Sequence, residues 1–95
     1  MDVTNPVDAK TPILNAIAHL EGLLGQLPKD DRTEKALYQL DRLRRAVNAS
    51  HQEAVRFAAF TVNKIVKDSA ADWGQAVVDS MSQLREALLA AGHRY

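Results

Sequence analysis

The chain reads as all-α, a small helical bundle of three to four helices. Three observations predict this. Apolar residues recur at alternating spacings of three and four from Ile13 to Ala91. No run alternates apolar and polar residues, and no Asn-Gly turn links two such runs. The stretch from Asp30 to Trp73 holds neither glycine nor proline.

Residues 1–10, "MDVTNPVDAK", are polar and carry Pro6. They are expected to form a flexible arm ahead of one domain over 11–92, with 93–95 as a tail. Thr11 followed by Pro12 predicts the first helix start, because proline at the first helical position gives up an N–H that would have no partner anyway. Ile13, Ile17, Leu20, Leu24 and Leu27 then follow at spacings of four, three, four and three, an a/d stripe that Ala16 and Leu23 widen. Pro28 ends the helix. Gly22 and Gly25 lie inside it, each costing about 1 kcal/mol relative to alanine. With Ala18 they make either a strip of small residues open to close approach by another backbone or simply a frayed last turn before Pro28.

The second helix is predicted to start at Asp31, with Glu34 at capping-box spacing and acids gathered at the positive helix end. Leu37, Leu40, Leu43 and Val47 form its apolar stripe, with Ala36 beside it. After residue 50 the stripe resumes as Val55, Ala58, Ala59, Val62, Ile65 and Val66, rotated by roughly 60°. At the junction, "VNASHQEAV", Ser50 and Glu53 have the spacing that opens a new helix. A straight helix drifts by about 20° per heptad, so rotation alone leaves one long helix or two. Neither glycine nor proline enforces a break, and the expectation is one long central helix over about 31–68, continuous or kinked. Asp68 or Ser69 caps the last helix, whose stripe is Trp73, Val77, Met81, Leu84, Leu88 and Ala91, with Gly92 as its stop.

Lys plus Arg and Asp plus Glu number 12 each, so net charge points to no polyanion and nucleic acid is disfavoured as a partner. The chain has no cysteine, which excludes disulfides, thiolate metal sites and a cysteine nucleophile. No secretory signal or membrane-spanning run is present, so a soluble cytoplasmic protein is expected. His19, His51 and His93 form no His-x-x-x-His or Glu-x-x-His pair, and no metal or cofactor is expected. His19 reads as a residue at the edge of the core. Asp79-Ser80-Met81 has the residues of the acyl carrier attachment site. In that family the serine opens the second of four helices, whereas Ser80 lies inside the last helix here. No nucleophile constellation or phosphate-cradling loop appears, and the chain is expected not to be an enzyme.

One surface stands out. On a continuous helix over 31–68, Arg42, Arg45, Gln52, Arg56, Phe60, Asn63 and Lys67 fall within roughly 80° of one another, well away from the apolar stripe. This candidate binding face is basic and carries an aromatic ring, the ingredients of an anion-binding or protein-interaction surface; the alternative is an ordinary solvated polar face with Phe60 tucked against a neighbouring helix. Phe57 also lies off the stripe. Two phenylalanines outside a core that is already filled predict a second buried interface, which self-association supplies most simply.

Residues 12–49 resemble the helical-hairpin domain of phage anti-defence proteins that sequester cyclic nucleotides. The matching pieces are Pro12 with Ile17, "LLGQLP", "DDR", and Leu40, Leu43, Ala46 and Val47 in "LDRLRRAV". The first helix is shorter than the family's, its Trp-Ala-Asn is missing after Ala46-Val47, and the C-terminal extension is longer, so no binding residue is carried over. The resemblance implies an oligomeric sponge for an anionic signalling nucleotide. The residues themselves predict a non-catalytic interaction protein that self-associates and binds a macromolecular partner through a helical face.

Overall fold

In the computed structural model, residues 9–94 are described and all regular structure among them is helical. The elements are α1 (Lys10–Gly25), α2 (Asp31–Asn48), α3 (Gln52–Asp68), the single turn α4 (Ala70–Trp73) and α5 (Gln75–Ala90). The expected arm falls mainly outside the described residues, and Lys10 already belongs to α1.

The four long helices pack in a ring, α1 on α2, α2 on α3, α3 on α5 and α5 back on α1. Neighbours run antiparallel. Lys10 Nζ, at the start of α1, reaches the carbonyl of Asn48 at the end of α2 (3.3 Å), and Ala9 and Ile13 lie near Ala91 and His93 beyond α5. The result is an up-down-up-down four-helix bundle.

Its core comes from the a/d stripes. Ile13, Ile17, Leu20 and Leu24 of α1 are buried, as are Leu40 and Leu43 of α2, Val55 and Val62 of α3, and Leu84 and Leu88 of α5. Each such side chain contributes roughly 1.5–3 kcal/mol on burial, against about 0–1 kcal/mol for an exposed ion pair, so the stripes hold the bundle. Leu27, Leu37 and Ile65, expected in the stripes, lie half-buried at the margin.

The central helix is two helices, not one. Ser50 adopts φ +57, the left-handed conformation. The Ser50 N–H bonds to Val47 O (3.1 Å) and the His51 N–H to Ala46 O (2.9 Å). These are the paired bonds of a Schellman motif, with serine where glycine is usual. Ser50 therefore terminates α2 instead of capping α3, whose N-cap, His51, makes no side-chain capping bond. The chain reverses over three residues, and α3 folds back along α2.

Other boundaries also shift. The α1 N-cap is Ala9, and Pro12 is the third helical residue, where its missing N–H is still one of the four that lack an intrahelical partner. The α2 capping box is Asp30 with Thr33, one residue ahead of the expected pair. The Asp30 carboxylate accepts from the N–H groups of Arg32 (2.9 Å) and Thr33 (3.0 Å), and Thr33 Oγ1 accepts from the Asp30 N–H (2.9 Å). Trp73 is buried as expected but sits on α4, cut off from α5 by Gly74 at φ +91. Gly22, Gly25 and Ala18 are exposed, and a Cβ at either glycine meets nothing within 4 Å. The small-residue strip is open, with no backbone laid against it in this chain.

Candidate functional site

The reversal at Ser50 divides the basic face. Arg42 and Arg45 stay on α2, where they line a groove of about 570 Å³ with Tyr38 and His51. The Arg42 guanidinium lies 5.9 Å from the centroid of the Tyr38 ring, a cation–π stack. Arg45 is paired with Asp41 (2.9 Å), the helix pair its spacing suggests. Asn63 and Lys67 of α3 line a different groove, of about 320 Å³, against Val78, Ser82 and Arg85 of α5. Gln52 sits at the end of the bundle, beside Lys10 and His93. Arg56 and Phe60 lie exposed on α3 between these places. The seven residues are not one surface. Gln52, Arg56, Phe60, Asn63 and Lys67 still share one side of α3, and Arg85 joins that side from α5, beyond what periodicity along a single helix can reveal.

Phe60 is not tucked against a neighbour. It is 55 % exposed, Phe57 is 59 % exposed and Tyr38 is 61 % exposed. The buried residues of α3 are Val55, Ala58, Ala59, Val62 and Val66. At 100° per residue, Glu53, Phe57, Phe60 and Lys64 fall within roughly 60° on the opposite pole of the helix. All four are exposed. Their spacing of four, three and four is that of a second a/d stripe, facing solvent. The spacing is present in the sequence, but an acid, a base and two rings together form no stripe of one charge or of uniform hydropathy.

Charges elsewhere tie helices together. Arg32 bonds Asp72 (2.9 Å) and Asp30 (3.2 Å) while its guanidinium lies 5.6 Å from the Trp73 ring centroid. It thus fastens the start of α2 to α4. The backbone N–H of Thr33, and after it Arg32, hold the Asp30 carboxyl below its usual value, and the bonds to Asp72 and Asp30 raise Arg32 above its own. Arg44 pairs with Glu21 of α1 and with Asp41 (3.1 Å). His19 is exposed, at the edge of the core, and its Nδ1 makes a 2.9 Å hydrogen bond with Ser80 Oγ across α1 and α5. Ser80 is 1 % exposed, so its hydroxyl serves that contact and is closed to any outside group.

Among the described residues no group of three or more His, Asp or Glu side chains is arranged to hold a metal ion. No helix among them is long and apolar enough to cross a membrane. No protein-family model, no curated protein and no solved structure matches the chain. The likeness of residues 12–49 to the anti-defence sponges therefore rests on those residues alone.

Proposed function

We propose that this chain is a non-catalytic interaction protein that self-associates and binds a macromolecular partner through a helical face. One observation carries the reading. Phe57 and Phe60, three residues apart, stand exposed on the outward pole of α3 while the core beneath that helix is filled by other side chains. Exposed rings grouped in this way mark contact surfaces, and aromatic and arginine side chains supply most of the energy where such surfaces meet. Arg56 and Lys67 beside the rings, with Arg85 across the α3–α5 groove, suit the surface to a partner with an acidic rim. Light scattering tests the reading. The wild type is expected to exceed the 10.5 kDa monomer mass at high concentration. A variant carrying F57S and F60S is expected to run as a monomer with an unchanged helical circular-dichroism spectrum. A monomeric wild type, or a double variant that unfolds, goes against it.

A second reading, a sponge for an anionic signalling nucleotide, draws on the Tyr38–Arg42 stack beside Arg45 and on the resemblance of residues 12–49. A ring to stack a base and two guanidinium groups for phosphate are suitable chemistry. In this reading a cyclic dinucleotide at about a hundredfold excess over its Kd contributes roughly 2.7 kcal/mol to the folded state and raises Tm by several degrees. A flat Tm across a panel of cyclic nucleotides would eliminate it.

A further inference from the structure

The outward stripe of α3 is complementary to itself. It reads Glu53, Phe57, Phe60, Lys64, with an acid at one end, a base at the other and two rings between. The residue numbers of its outer pair and of its inner pair have the same sum, so turning the helix end for end about a two-fold axis superposes the stripe on its own reverse. Self-complementarity of this kind is what a two-fold homodimer requires, since each residue must meet the residue that in turn meets it.

We propose that a second copy of this chain docks on α3 in antiparallel register, Glu53 of one copy against Lys64 of the other and Phe57 against Phe60, each contact made twice. The inference rests on the self-association proposed above and specifies its interface. Charge selects the direction. A parallel, in-register pair sets Glu53 on Glu53 and Lys64 on Lys64, which is repulsive, whereas the antiparallel pair sets opposite signs together at both ends. Among the described residues Glu53 has no ion-pair partner, and Lys64 pairs with Asp68, one turn away (3.1 Å), both side chains being largely exposed. The rings supply the apolar centre and the charges set the register, as in helix pairs generally. Tyr38 widens the contact, because it lies across the α2–α3 groove from Thr61, next along the chain from Phe60. One helix pair about 25 Å long belongs at the small end of specific interfaces.

The absence of native cysteine makes the register directly testable. In the antiparallel dimer the two Glu53 positions lie about 16 Å apart along the helix, while each lies opposite Lys64 of the other copy. An oxidised mixture of E53C and K64C is expected to give a disulfide-linked heterodimer, and either variant alone little. Sedimentation equilibrium supplies the second arm. E53K and K64E are each expected to weaken the dimer about tenfold, because each changes two attractions into repulsions, and the double swap E53K/K64E is expected to restore it. If the wild type dimerises but E53C links to itself, or the swaps have no effect, the register is wrong and self-association stands. If the wild type stays monomeric at millimolar concentration, both are wrong and the stripe is left to a different partner.

Discussion

Ser50 carries the decision on which the arrangement of this bundle turns. A non-glycine residue in the left-handed region bears a cost of about 1 kcal/mol, from the approach of Cβ to the backbone. The Schellman bonds of Ser50 and His51 offset that cost by satisfying carbonyls that the end of α2 would otherwise leave open. Ser50→Gly is therefore expected to stabilise the protein by about 0.5–1 kcal/mol in chemical denaturation, the relief of strain exceeding the added freedom of the unfolded chain. The sign is diagnostic. In a continuous helix the same change would destabilise by roughly 0.5 kcal/mol.

At the scale of the element, what begins a helix here is as informative as what fills its face. The start of α2 is a reciprocal capping box, with Asp30 as the acceptor and Arg32 bridging it to Asp72. The Asp30 carboxyl is held below its ordinary value of 3.8, first by the Thr33 backbone N–H and then by Arg32. A group whose folded pKa is depressed contributes stability above its unfolded pKa and loses it as pH falls through the folded value. The loss thus falls below about pH 4. Asp30→Asn keeps a capping oxygen but no titrating group. Its Tm is expected to lie below the wild type near neutral pH, where the Arg32 ion pair is lost, and to fall less steeply on acidification below pH 4. Parallel acid limbs in the two proteins would show that Asp30 does not contribute to the acid response. Of the helix starts, the sequence pattern locates this one to within a residue. It misplaces the pair because Asp30 and Asp31 are both competent caps, and only the path of the chain from α1 chooses between them.

As a whole molecule, this is a short chain with a thin core, and a domain of such size buries a modest share of its unfolded surface. Its stripes meet in a ring of four, and of the large apolar side chains left in water Phe57 and Phe60 share the outer pole of α3, while Tyr38 lies on α2 and Leu89 on α5. A dimer that covers Phe57 and Phe60 adds to stability through mass action. The self-association proposed above is therefore expected to appear also as a Tm that rises with protein concentration in the wild type, and not in the variant carrying F57S and F60S. The basic face expected along one long helix requires a continuity that the chain breaks at Ser50. Once α3 turns back on α2, Arg42 and Arg45 face the Tyr38 groove, and Lys67 and Asn63 face α5. What survives is the α3 half, joined by Arg85.

The sequence by itself determined the all-helical class and most of the core. Burial of a helix face requires apolar residues every three or four positions, and that period can be read without knowing what the face packs against. Val55, Ala58, Ala59, Val62 and Val66 are buried as their spacing demands. Only the tertiary structure decided whether α2 and α3 are one rod or a hairpin. The free-energy difference between a serine continuing a helix and a serine ending one is small, so the choice falls to the much larger gain of closing four stripes into one core. That closure sends the charges of "VNASHQEAV" and its neighbours to different sides of the bundle, and leaves Glu53, Phe57, Phe60 and Lys64 together on the outside.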